Sequence, residues 1–306
     1  MNVKDIVVAL KGFGMGAANV VPGVSGGTIA LLTGIYQEIV DALSSFSDKA
    51  TWKALVNRDF KGFWTAVHGR FLLALAIGVI ASIFSLAKLM TWALDYYPIL
   101  TWAFFFGLIL ASVFYMLRDV KGWSVKDAIV LVGGIALGLA VCTLSPKSTP
   151  DSMWFIFICA AIAICTMILP GISGSFILVI LGKYDFIMKA VSDLNVPVLV
   201  VFALGCVVGL LAFARFLHWL LARWEKATML ALTGFVIGSL VKVWPWSDIR
   251  AIAEAQMLRQ SDSLASGAGV EVVSSAIQWQ IPGAVLWCAI GIILVVVIES
   301  LSKKHL

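Results

Sequence analysis

The sequence predicts an all-α polytopic membrane protein made of two inverted-topology repeats, each a re-entrant broken-helix hairpin plus three transmembrane helices. Three observations carry this. Of the 306 residues 61% are hydrophobic and 13% charged, and the mean hydropathy of +1.01 is far above that of a soluble domain. A Pro-Gly-x-Ser-Gly run occurs twice inside apolar sequence, as Pro22-Gly23-Val24-Ser25-Gly26-Gly27-Thr28 and as Pro170-Gly171-Ile172-Ser173-Gly174-Ser175-Phe176. The likeness continues at a constant offset of 148 to Gly34-Ile35-Tyr36 and Gly182-Lys183-Tyr184, with nine of the 22 positions from Pro22 to Leu43 identical.

In the first half (1–150), residues 3–21 are weakly apolar and carry two lysines, a poor full span. Proline removes a backbone donor and glycine admits unusual dihedrals, so the run at Pro22 ends one helix and starts another. Residues 3–43 therefore read as a re-entrant hairpin. Its second arm, from Ser25 to about Thr33, is roughly 13 Å of helix, close to half the ~30 Å of a hydrocarbon core. A polar stretch over 44–70 with Lys49, Lys53, Arg58, Lys61 and Arg70 reads as an extramembrane amphipathic segment. Spans are expected at about 71–94, 98–117 and 127–145. Lys4, Asp5 and Lys11 interrupt the first apolar run, so that segment is expected to stay rather than be cleaved as a signal peptide.

The second half (151–306) repeats the plan, with a hairpin over about 153–193 and spans at about 197–222, 227–245 and 281–301. At an offset of 127, Ala76, Gly78, Lys88, Trp92, Thr101, Gly107 and Ser112 fall on Ala203, Gly205, Arg215, Trp219, Thr228, Gly234 and Ser239. The drop in offset equals one insertion, the basic segment that only the first half has. A hairpin returns to its own side and three spans then cross, so the second half is inverted. With the N- and C-termini in the cytoplasm, fourteen of the nineteen basic residues outside the spans lie inside; only Lys147, Lys183, Lys189, Arg250 and Arg259 lie outside, as the positive-inside bias requires. Tryptophans near the span ends, among them Trp92, Trp219, Trp224 and Trp244, fit an aromatic belt.

Inverted repeats whose broken helices meet at the membrane midplane are an architecture of secondary transporters. The second arm of each hairpin would present free N–H groups and the positive end of a helix dipole, with Ser25, Gly26, Gly27 and Thr28 at one and Ser173, Gly174 and Ser175 at the other, a constellation that favours an anion. The same small residues would also serve plain helix packing. Lys88 and Arg215 lie six to eight residues inside their spans, where a cation is a functional candidate unless it snorkels to the headgroups. Glu38, Asp41 and Asp185, with Lys183 beside the last, are candidates for ion coupling, by protons or sodium, and Asn19 for a cap or packing hydrogen bond. The five cysteines, Cys142, Cys159, Cys165, Cys206 and Cys288, lie in apolar runs without metal-ligand or disulfide spacing, and with only His68, His218 and His305 no metal or other cofactor and no enzymatic centre is expected. Neither is a nucleic-acid partner.

The paired motifs, together with Asn19-Val20-Val21 before the first and Gly34-Ile35-Tyr36 after it, resemble the bacterial PopT family of polyprenyl-phosphate transporters over essentially the whole chain. The resemblance implies a flippase of the cytoplasmic (inner) membrane that moves undecaprenyl phosphate, the lipid carrier of cell-wall precursors, from the outer to the inner leaflet. The residues by themselves leave open a secondary transporter of a small soluble anion, an anion channel, and the oligomeric state.

Overall fold

A computed structural model describes residues 3–20, 25–118, 120–144, 149–246 and 271–304, and among them every regular element is a helix. Pro22, Gly23 and Val24 of the first break, Ser145 to Ser148 and most of the polar loop at 246–280 lie outside the described residues. The chain runs α1 (Val3–Val20), α2 (Gly26–Leu32), α3 (Tyr36–Ser45), α4 (Lys49–Val56), α5 (Phe60–Ala66), α6 (Gly69–Tyr96), α7 (Pro98–Arg118) and α8 (Val125–Cys142). It continues with α9 (Met153–Ile168), α10 (Gly174–Ile180), α11 (Tyr184–Ser192), α12 (Val196–Val243) and α13 (Glu271–Lys304). Stretches of α6, α7, α8 and α12 are long and apolar enough to cross a membrane, and α9 and Ile281–Val297 are shorter apolar helices. Large apolar side chains such as Phe84, Val125, Ile129 and Val132 face outward, as they do where the solvent is lipid. The protein is a polytopic membrane protein.

The 48 residues of α12 would make a rod of about 72 Å, more than twice the ~30 Å of a hydrocarbon core. The helix is broken at Trp224, whose φ of −141° and ψ of 55° leave the helical region, within the gap expected between the spans at 197–222 and 227–245. The gap between α6 and α7 at Tyr97 is its counterpart at the offset of 127. Trp92 and Tyr97 meet edge to face at 5.4 Å, as do Trp219 and Trp224 at 5.3 Å. Thr101 Oγ1 donates to the carbonyls of Ala93 and Tyr97, and Thr228 Oγ1 to those of Leu220 and Trp224, so each threonine ties off the carbonyls freed by the break.

The short helices repeat as closely at the offset of 148. Helices α2 and α10 are each 7 residues, start one residue after a serine cap and end at matching positions. Both stop in a Schellman turn. Ile35 N–H reaches the Ala30 carbonyl and Gly34 N–H that of Leu31, while Lys183 N–H reaches Leu178 and Gly182 N–H reaches Val179. Gly34 and Gly182 take the left-handed φ that this turn requires, +72° and +63°.

The chain packs as two compact units, residues 1–87 with 116–239 and residues 88–115 with 240–306. In the first, Leu31, Tyr36 and Val40 form a core with Phe71 and Leu75 of α6, Ile168 of α9 and Leu217 and Leu221 of α12. In the second, Ile99 and Ala103 of α7 pack on Ala284 of α13. One seam of closely apposed backbones in the first unit has a counterpart in the second. In the first, a methyl at Gly134 of α8 would strike the Ala231 carbonyl, and one at Gly234 of α12 the Leu131 carbonyl. In the second, Gly291 of α13 meets the Phe104 carbonyl and Gly107 of α7 that of Cys288. Gly134 and Leu131 correspond to Gly291 and Cys288 at one offset, and Ala231 and Gly234 to Phe104 and Gly107 at another, so one seam is the other repeated. In each, the third apolar helix of one half packs on the second of the other half, and the units consequently cut across the two sequence halves.

Candidate functional site

The two breaks meet inside the first unit. The leading N–H groups of a helix have no partner within it, and in α2 nearby acceptors take them. Gly26 N–H donates to Asn19 Oδ1 at 2.7 Å, Gly27 N–H to Ser25 Oγ at 3.1 Å and Thr28 N–H to the Ser25 carbonyl at 3.0 Å. Asn19 is thus the cap expected of it. The side chains of Ser25 and Thr28, 2% and 0% exposed, turn toward the second break: Ser25 Oγ donates to the Leu169 carbonyl at 3.2 Å, and Thr28 Oγ1 accepts from Gly171 N–H at 2.9 Å. Gly27 has no room for a side chain, since a Cβ there would lie 2.7 Å from the Ile168 carbonyl.

The second break is held by close packing. Gly171 sits at φ +94°, and a Cβ on it would come within 2.6 Å of Ser239 Oγ. Ser173 caps α10 by accepting from Phe176 N–H at 3.3 Å and lies 2.8 Å from Ser175 Oγ. Ser173 is half-buried and Ser175 exposed. Among the described residues, the N–H groups of Gly174 and Ser175 meet no acceptor. At this helix end the Ser173 and Ser175 hydroxyls bond each other and Ser175 is exposed, whereas at the first break the N–H groups of Gly26, Gly27 and Thr28 all have acceptors.

The remaining sequence candidates lie elsewhere. Arg215 is exposed on α12 and donates to the Ser47 carbonyl and Asp48 Oδ1, both at 3.1 Å. One turn further, His218 Nδ1 lies 2.7 Å from Asp41 Oδ1. Glu38 lies 4.0 Å from His68, and Lys11 of α1 donates to the Thr33 carbonyl at 2.7 Å. Glu38 and Asp41 thus sit on a polar face of α3 that pairs with histidines. Asp185 is exposed in the first turn of α11. Lys88 falls in α6, in the second unit, and its side chain is outside the described residues. Among those residues no three His, Cys, Asp or Glu side chains cluster to hold a metal.

Two features escaped the sequence reading. The histidine partner of Asp41 had one faint signal, its spacing of three from Arg215, which puts both on one helix face. The other is the burial of Lys183, which is only 2% exposed and whose ammonium donates to the Thr149 carbonyl at 2.6 Å and to Asp151. Thr149 Oγ1 in turn bonds the Leu181 carbonyl, which straps 149–151 across the α10–α11 turn. The first copy carries Ile35 at that position, buried in the core.

Residues 15–261 match the model of an undecaprenyl phosphate translocase-like family. The chain belongs to that family. The matched region contains both breaks, Lys88, Lys183 and Arg215. It is 43% identical over 241 residues, 78% of this chain and 77% of the relative, to a polyprenyl-phosphate transporter of Vibrio cholerae. It is 31% identical over 254 residues, 77% of this chain and 85% of the relative, to a polyprenyl-phosphate transporter of Staphylococcus aureus. No solved structure matches it.

Proposed function

We propose that this protein is a transporter of polyprenyl phosphate, a flippase that carries undecaprenyl phosphate from the outer to the inner leaflet of the cytoplasmic membrane for reuse as a lipid carrier. The family match and the names of the two relatives support the substrate class. The observation that supports the mechanism is the start of α10 at Ser173-Gly174-Ser175, where the exposed Ser175 hydroxyl stands beside helix N–H groups of a kind suited to a phosphate. Ser25, Gly26, Gly27 and Thr28 form the other wall, holding the Leu169–Gly171 backbone so that α10 presents its end. The matched caps, turns and seams support two repeats, 1–150 and 151–306, which on the basic-residue bias are inverted, with re-entrant hairpins and both termini cytoplasmic.

In this reading the lipid tail stays in the bilayer while the phosphate crosses at the midplane between the two breaks. Lys88 and Arg215 meet it alternately as the halves rock, and the acidic groups Glu38, Asp41 and Asp185 couple the cycle to protons or sodium. Arg215 would have to exchange Asp48 for the phosphate, which an exposed ion pair permits at small cost.

The test is leaflet exchange of a short-chain polyprenyl phosphate in proteoliposomes. The expected outcome is protein-dependent exchange that falls to background for Lys88→Gln with Arg215→Gln, although that variant is expressed and folded. Movement of inorganic phosphate without movement of the lipid would replace this reading with a small-anion transporter. Wild-type exchange by the double variant would remove both cations from the site.

A further inference from the structure

Between α3 and α6 the chain carries residues 46–68, where the second half has only 193–195 between α11 and α12. This insertion folds as the α4–α5 hairpin. Its two arms hold each other through Trp52 and Phe63, ring centroids 6.2 Å apart, and Trp52 Nε1 donates to the Phe46 carbonyl at 2.7 Å. Its base is fixed: Thr51 and Val67 are buried, and Arg215 grips Ser47 and Asp48. Arg70 beside the base chelates Asp5 of α1, so the hairpin lies on the face of the first unit where α1 begins. Its tip is free of the unit. Val56 and Phe60 are 80% and 66% exposed, and Trp52 and Trp64 about half.

Around these apolar side chains stand Lys49, Lys53, Arg58 and Lys61, all exposed. The two acidic residues of the insertion are engaged, Asp48 with Arg215 and Asp59 as the cap of α5 through Gly62 N–H at 2.8 Å. Water would gain nothing from large exposed apolar side chains at the tip, whereas a membrane interface takes apolar tips, tryptophans and cations together. We propose that the α4–α5 hairpin is an interfacial anchor, sinking Val56 and Phe60 to the headgroup–acyl boundary while Lys49, Lys53, Arg58 and Lys61 bind the headgroups of anionic bilayer lipids. The cations select a negatively charged leaflet, each multiplying binding roughly fivefold near such a surface. This inference stands on the hairpin alone and not on the transport reading.

The experiment uses the full chain in nanodiscs of phosphatidylcholine, with or without phosphatidylglycerol. A nitroxide on Val56→Cys reports depth through collision with lipid-soluble and aqueous relaxation agents, and wild-type chain labelled in parallel subtracts the native cysteines. The expected result is a label at acyl depth in anionic discs that rises toward water in neutral discs or at high salt. Glutamine at Lys49, Lys53, Arg58 and Lys61 should abolish the dependence on anionic lipid, and arginine at the three lysines should restore it. A label in water in both discs, as it would be if a protein partner covered the tip, overturns the proposal. So does a depth indifferent to lipid charge and to the glutamine variant.

Discussion

The two breaks share a backbone and differ in what their side chains do. Both have a serine cap, a seven-residue helix and a Schellman turn with a left-handed glycine. Yet Ser25 to Thr28 of the first are buried while the second leaves Ser175 exposed, and two matched substitutions account for it. Gly27 in the first corresponds to Ser175 in the second, and Thr28 to Phe176. Gly27 lets α2 close against the Ile168 carbonyl and Thr28 catches Gly171 N–H, whereas Ser175 stays exposed and Phe176 packs beside the cluster of Ile172, Ile177 and Phe235. The duplicated motif thus differs in its side chains: the first copy latches onto the second, and the second leaves Ser175 exposed.

The sharpest way to break the latch is at Gly171. Alanine there is strained at φ +94°, about 1–3 kcal/mol, and its methyl would press on Ser239 Oγ, about 1–3 kcal/mol more. The expected outcome is a large fall in thermal stability in detergent, followed by fluorescence size-exclusion chromatography. Gly174→Ala, at a helical position but facing the Ala163 carbonyl at 2.6 Å, should show overpacking without the backbone strain.

Thr28→Val keeps the shape and removes the acceptor, leaving the buried Gly171 N–H unpaired. That costs about 1–3 kcal/mol, so the melting temperature should drop measurably. Thr28→Ser, which retains the oxygen, should recover most of it. If valine were as stable as the native residue, the hydrogen bond between the breaks would not be what holds them.

Smaller still is the effect expected at the α10–α11 turn, where the second copy has Lys183 and the first Ile35. Replacing the lysine by isoleucine removes a buried charge whose partner Asp151 is itself largely exposed and free to be hydrated. A buried ion pair exchanged for an apolar group is often neutral, so stability should stay within about 1 kcal/mol. Asp151→Ala, which strands the ammonium, should cost more than the isoleucine variant in the same thermal scan.

These contrasts also mark what could be read from residue order. The helix breaks at Pro22 and Pro170 and the gap at Trp224 were legible because a break is a local backbone event that only certain residues promote. Partner choice was not. The offsets state that Gly134 corresponds to Gly291, but nothing in them says that each packs on a helix of the other half, since glycine seams carry no address. Nor could the motif reveal that Ser25 and Thr28 face the second break, because a hydroxyl that bonds a carbonyl and one that awaits a phosphate are the same residue in sequence. Lys183 was visible as a departure from Ile35, yet its burial depends on the strap from Thr149 and Asp151, residues 32 and more positions away.

The last contrast separates latch from ligand site most cleanly, because it should leave stability untouched. Ser175 is exposed, and its described hydrogen-bond partner is Ser173 Oγ, so Ser175→Ala creates no cavity and strands no buried group. A hydroxyl bonded to a desolvated phosphate contributes about 1.5–3 kcal/mol, so affinity for a short-chain polyprenyl phosphate should fall at least tenfold while the melting temperature holds. The reciprocal change, Gly27→Ser, puts the second copy's residue into the first, where its Cβ meets the Ile168 carbonyl; it should unlatch the breaks and lower stability. Titrating ligand by its thermal shift reads both quantities at once. If Ser175→Ala bound as tightly as wild type, the start of α10 would not be the phosphate site, and the asymmetry between the breaks would be one of packing alone.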